Sequence, residues 1–204
     1  MKSEIFVHER GLCESENVGS GTRVWAFAHV LANAVVGRDC NICDGAYIEG
    51  DVVIGDRVTV KNGVMLFAGA RIGDDVFLGP GVVFTNDPNP RSGLRSGTDH
   101  LLATEVENGA TIGANSTVIC GNSIGAFSFI GAGSVVTSEV PAHAFMLGNP
   151  ARQTGWACRC GHRLSELLVC PDCGTNYRRD GQSIAEFPGS GKESIGTSAT
   201  ADPA

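Results

Sequence analysis

Apolar residues recur at every sixth position: Leu12, Val18, Val24, Val30, Val36, Ile42, Ile48, Ile54, Val60, Leu66, Ile72, Leu78 and Phe84. The beat is then lost, and it returns at Val106, Ile112, Val118, Ile124, Ile130 and Val136. A glycine often follows it, as at Gly37, Gly55, Gly73, Gly79, Gly113, Gly125 and Gly131. Four positions after the beat stands a small or β-branched residue, such as Ala28, Ala46, Val58 or Ser116. Helices repeat every 3.6 residues and strands every 2, so neither alone gives this period. A short strand plus a tight corner does. The aliphatic points inward, the glycine permits the bend, and the small residue fills the narrow interior beside it. Three units close a triangular coil of eighteen residues, and stacked coils bury a continuous apolar column. The pattern predicts an all-β chain folded as a parallel β-helix of about six coils, roughly 30 Å tall at ~4.8 Å per coil.

The interruption, residues 85–105, reads TNDPNPRSGLRSGTDHLLATE and carries no beat. Val106 restarts where a unit at position 90 would stand, so the loop adds sixteen residues without changing the register. A long polar loop on a rigid scaffold is usually functional. Steps of eighteen put Asn86 over Ala68 and Gly50, and Thr85 over Phe67 and Glu49. The edge holding Glu49, Asn86 and the loop base is therefore the candidate site. The Asn86 amide can orient an attacking group or polarise a developing charge, but it cannot be a base. Glu49 is a candidate proton acceptor, and His100 a loop-borne partner. Arg91 and Arg95 carry forks that match diphosphate oxygens. His29 lies on a face beneath Tyr47, Met65 and Val83, away from this edge.

Composition narrows the class. The chain has 204 residues, a formal charge of −7 and no Lys/Arg run, which argues against nucleic acid. Met1 to Arg10 is charged and lacks an apolar secretion core. No run reaches the roughly eighteen apolar residues that span a bilayer. A cytoplasmic protein with no membrane partner is the expectation. Cys158-x-Cys160 and Cys170-x-x-Cys173 can supply four thiolates to a structural Zn²⁺ with no open coordination position. Beyond Arg179 the composition turns rich in Gly, Ser and Thr. The expected organisation is a coil domain over 1–155 with its loop at 85–105, a zinc-ribbon-like knuckle over 156–179, and a disordered tail over 180–204.

The ordered segments CNICDGAYIEGDVVIGDRVTVKNGVMLF, DDVFLGP, FTNDPNPRS, GATIGANSTVICG, IGAGSVVT and VPAHAFMLGNPARQ span about residues 5–155. Together they resemble the hexapeptide-repeat N-acetyltransferases that act on nucleotide-linked 3-amino sugars. The resemblance implies a left-handed parallel β-helix and a homotrimer. It implies acetyl-CoA in the groove between neighbouring prisms and a sugar amine beside the thioester, in surface polysaccharide or glycan biosynthesis. It points to the backbone of Ala114, Ala132 and Gly133 and to Arg152 as coenzyme contacts. It also makes Phe67 a sugar contact. Relatives commonly carry Trp-Asp where this chain has Phe67-Ala68, and often a lysine at Ser138. Whether the nucleotide is dTDP or UDP stays open. One rival is a trimeric metalloenzyme of the γ-carbonic-anhydrase type, which needs three converging histidines. The spacing of His29, His100 and His143 does not suggest one. A second rival, a non-catalytic binding solenoid, fits the loop and the GNPAR ending poorly.

Overall fold

The computed structural model describes residues 4–93 and 97–187. Short parallel strands stack into three sheets that form the faces of a β-helix. The first face runs from Phe6–Val7 through Arg23–Val24, Asn41–Ile42, Thr59–Val60, Phe77–Leu78, Thr111–Ile112 and Phe129–Ile130 to Ala144–Leu147. The second holds Leu12–Cys13, His29–Val30, Tyr47–Ile48, Met65–Leu66, Val83–Phe84, Thr117–Val118 and Val135–Val136. The third holds Val35–Val36, Val53–Ile54, Ala70–Ile72, Thr104–Val106 and Ser123–Ile124. From Val24 onward the residues of the beat are the core, with Val18 partly buried against it: Val24, Val30, Ile42, Ile48, Leu66, Leu78, Ile112 and Ile130 are fully buried. The small residues beside them, such as Ala34, Ala46, Ala110 and Ser134, are also buried. Each aliphatic in such a column is worth about 1.5–3 kcal/mol relative to exposure.

Three details depart from the sequence expectation. Leu12 is half exposed and pairs with the outward His29, while Cys13 aligns with Val30. Only five positions separate Cys13 from Val18, which bridges to Val36. The first coil is therefore one residue short, and Ser15 takes up the tight corner by donating its hydroxyl to Ala34 O at 2.6 Å. The glycines after the beat do not make the bend. Positive φ falls two residues later, at Asn33, Asp51, Asp75, Gly81, Asn115 and Gly133 among others. Gly79 and Gly113 are needed for close stacking instead: a Cβ there would meet Ala114 N at 2.6 Å and Ala132 N at 2.5 Å.

The third departure concerns the C-terminal part. Ala144–Leu147 pairs antiparallel with Arg152–Trp156. A second small core follows, of Trp156, Cys158, Leu164, Cys170, Tyr177 and Ile184. The hairpin Asn176–Asp180 with Ser183–Phe187 shows that ordered chain extends past position 180. Ile184 is buried in that core and Ser183 donates to Ala142 O at 2.7 Å, which is why the expected tail boundary was too early. The remainder of that tail, 188–204, lies outside the described residues. His143 joins the two parts. Its ring stacks on Phe127 and meets Tyr177 edge-on, both at 5.3 Å between centroids. Among the described residues, no helix is long and apolar enough to cross a membrane.

Candidate active site

The corner between the second and third faces carries the loop. Thr85 is still in the ladder, donating its N–H to Val118 O at 3.0 Å and accepting Cys120 N–H at 3.0 Å. The chain returns at Ala103, which accepts Gly121 N–H at 3.0 Å. Leu102 N–H donates to Asn86 O at 2.8 Å and closes the loop base. Ile72 pairs with Val106, which pairs with Ile124, so the inserted residues leave the coils in register.

Asn86 and Glu49 converge on one residue. Asn86 Nδ2 donates to Ala68 O at 3.4 Å, and Ala68 N–H donates to Glu49 Oε2 at 2.7 Å. One carboxylate oxygen of Glu49 is thus committed to holding the corner. Phe67 is half-buried and packs on Tyr47 at 5.9 Å, and Tyr47 meets His29 edge-on. His100 Nε2 lies 3.2 Å from Asp87 Oδ2, so it sits at the loop base. Arg91 is exposed and donates to Pro90 O, while Arg95 lies outside the described residues. Beneath the returning limb is a cleft of about 360 Å³ lined by Asp51, Ala68, Gly69, Arg71, Thr98 and Leu101–Ala103. Arg71 reaches both Asp51 oxygens, at 3.0 and 3.1 Å. Sequence reading missed Arg71 and Asp51. The signal was available in their spacing, which places them one coil apart on either side of a corner.

Ala114, Ala132 and Gly133 occupy a different corner, between the first and second faces. Gly133 N–H is spent on Ala114 O at 2.8 Å, so this glycine offers no free amide. Among the described residues, the N–H groups of Ala114 and Ala132 have no acceptor. The same position at the third corner is capped: Arg38 N–H by Asp56, Asp56 N–H by Asp74 and Asp74 N–H by Asn108, at 2.8–2.9 Å. Open amides at one corner and capped amides at another mark the first as fit to receive a ligand's carbonyls. Arg152 stands exposed, opposite Leu147, at the end of the adjoining face. Within one chain, the Asn86 corner and the open-amide corner are separate edges of the prism.

Known families account for this architecture. Residues 17–50 match the family described as bacterial transferase hexapeptide (six repeats), and residues 104–138 match the hexapeptide repeat of succinyl-transferase. The dTDP-3-amino-3,6-dideoxy-alpha-D-galactopyranose 3-N-acetyltransferase of Aneurinibacillus thermoaerophilus is 47% identical over 176 residues, 85% of this chain and 90% of its own. The chain belongs to the hexapeptide-repeat sugar N-acetyltransferases. Among more distant relatives, the bifunctional protein GlmU of Nitratidesulfovibrio vulgaris is 31% identical over 161 residues, 72% of this chain and 34% of its own. A mutant of AntD, an N-acyltransferase from Bacillus cereus solved with dTDP and coenzyme A, shares the fold. It has a TM-score of 0.54 at 16% identity, over 75% of this chain and 77% of its own.

This N-acetyltransferase carries its cysteines apart from both corners. The Sγ atoms of Cys158, Cys160, Cys170 and Cys173 all lie within 4.8 Å of one another, with Cys158–Cys173 and Cys160–Cys170 at 3.5 Å. These separations are far longer than a disulfide's ~2.05 Å. They are near the ~3.8 Å edge of a tetrahedron with Zn–S bonds of about 2.3 Å. Hydrogen bonds from Thr175 hold the Cys173 thiol down at about 6. The histidines do not converge: His29 pairs with Glu14, His100 with Asp87, and His143 Nδ1 with Ala157 O.

Proposed function

We propose that the enzyme transfers the acetyl group of acetyl-CoA to the 3-amino group of a dTDP- or UDP-linked amino sugar, in the cytoplasm, for glycan biosynthesis. One observation carries the reading: 47% identity to a dTDP-3-amino-sugar 3-N-acetyltransferase across 90% of its length. The corner geometry supports the chemistry. An amine attacking a thioester needs orientation, donors for the oxyanion and a proton acceptor. Asn86 is the orienting or polarising group, and Phe67 offers a face to the hexose. Glu49 fixes the corner through Ala68, and Arg91 and Arg95 are the candidate diphosphate partners. The free N–H groups of Ala114 and Ala132 receive the coenzyme's amide carbonyls, and Arg152 a phosphate. Because the acceptor corner and the open-amide corner are different edges of one prism, a neighbouring chain must bring them together. That supports a homotrimer whose sites lie between subunits.

The four-cysteine cluster fits a structural zinc held by Cys158, Cys160, Cys170 and Cys173, with four thiolates and no open position. Tyr177 supports it from outside, its hydroxyl 3.2 Å from Cys158 Sγ. The metal would hold the knuckle and its hairpin together and take no part in acetyl transfer. Incubation with acetyl-CoA, a thiol reagent and a panel of nucleotide 3-amino sugars tests the function. Thiol release that depends on one of these sugars is expected. Equal release without any sugar would refute it.

A further inference from the structure

Asp87 and His100 are 13 positions apart, yet the loop folds back so that their side chains meet, His100 Nε2 to Asp87 Oδ2 at 3.2 Å. Only 24% of the histidine's side-chain surface and 21% of the aspartate's are exposed. The second carboxylate oxygen accepts Asn89 N–H at 2.8 Å, which fixes its rotation. One residue upstream, the carbonyl of Asn86 accepts Leu102 N–H at 2.8 Å. The pair is therefore anchored on both limbs of the loop, directly beside Asn86. His100 does not line the cleft beneath the returning limb; it turns to the outgoing limb instead.

The pairing fixes a tautomer. An ionised carboxylate only accepts, so Nε2 carries the hydrogen and the neutral ring keeps its lone pair on Nδ1. Among the described residues, Nδ1 has no partner. Glu49, the other candidate acceptor at this edge, already holds Ala68 N–H with one oxygen at 2.7 Å. We infer that Asp87 is a positioning residue that holds His100 with Nδ1 free to take the proton from the attacking amine. The inference rests on the N-acetyltransferase reading of this corner. The amine lone pair attacks the thioester carbon, the C–N bond forms, and the carbonyl electrons move to oxygen. Nδ1 takes one N–H proton while the Asp87 carboxylate stabilises the imidazolium. The oxyanion collapses, the C–S bond breaks, and the departing sulfur takes the proton from Nδ1. The products are the amide and free CoA thiol, and the ring returns to its starting tautomer.

Steady-state kinetics on the full-length enzyme test this. His100→Ala should lower kcat about a hundredfold or more, the usual scale of a positioned base, with KM for both substrates little changed. Asp87→Asn should lower kcat about tenfold or more with the same KM pattern, and the double variant should be no slower than His100→Ala alone. Added imidazole should restore part of the His100→Ala rate. If Asp87→Asn loosens the loop, His100→Gln carries the same test, since it keeps a donor toward Asp87 and removes the base. A folded His100→Ala or His100→Gln enzyme with wild-type kcat overturns the inference. So does an Asp87→Asn defect confined to KM, or one that multiplies fully with that of His100→Ala. Failure of the function reading looks different: the wild-type enzyme itself would acetylate no nucleotide amino sugar.

Discussion

Replacing Ala132 with proline removes one backbone N–H and almost nothing else. The corner already shows that proline fits there. Pro80 occupies the same place two coils away, as Pro80 O accepts Asn115 N–H just as Ala114 O accepts Gly133 N–H. Each is preceded by a glycine, Gly79 or Gly131, so the usual restriction on the residue before proline is mild. Because Ala132 N–H has no protein acceptor among the described residues, the substitution breaks no intrachain bond. It also stiffens the unfolded chain, so Tm should be unchanged or slightly higher. If the N–H receives a carbonyl of acetyl-CoA, its loss costs one neutral hydrogen bond, about 1–1.5 kcal/mol. That corresponds to a roughly five- to twelvefold rise in KM for acetyl-CoA, with kcat nearly unchanged. Ala132→Gly, which keeps the N–H, should behave as wild type. The assay is thiol release at saturating sugar nucleotide with acetyl-CoA varied. A folded Ala132→Pro enzyme with wild-type KM for acetyl-CoA would refute the assignment of this corner to the coenzyme.

Asn86→Ala removes a hydrogen-bonding group from a half-buried edge and should fold. If the amide polarises the developing charge, kcat/KM falls by about 3 kcal/mol, roughly a hundredfold, and wild-type kcat and KM would move the site elsewhere. In metal-free protein, the rate of Cys173 alkylation should reach half its maximum near pH 6, because the thiolate is the reacting form and its fraction rises through that value. Bound zinc should protect it, and elemental analysis should read one zinc per chain; alkylation that ignores zinc contradicts the four-cysteine site. Light scattering should report a trimer, and an active monomer would contradict a site shared between subunits.

The β-helix was legible because one period constrains every layer at once. An aliphatic at each sixth position leaves no other way to bury the column, and the loop had to preserve register because Val106 resumes the beat. The stacking of Asn86 on Ala68 followed from the same arithmetic. Where the period was locally broken, the sequence misled. The five-residue step from Cys13 to Val18 is invisible when Leu12 happens to keep the beat. The role of Gly113 was misread because composition alone does not separate a positive φ from close approach. Tertiary pairing explains the remaining gaps. Asp87 finds His100 only because the loop closes through Asn86 and Leu102. Arg71 finds Asp51 across a corner, a pairing that the coil spacing did announce. The hairpin at 176–187 is held by packing of Tyr177 and Ile184 that no periodicity announces. The left hand of the coils came from the resemblance and not from the residues.

Acetyl transfer to the 3-nitrogen is tested by supplying the full-length enzyme with acetyl-CoA and a dTDP-linked 3-amino-3,6-dideoxyhexose, then identifying the product by mass and NMR. One acetyl group on the 3-nitrogen, one CoA thiol released per product, and no reaction with the 3-hydroxy analogue are expected. No sugar-dependent thiol release with this sugar or any other nucleotide-linked 3-amino sugar would contradict it, as would acetylation of a hydroxyl in place of the amine.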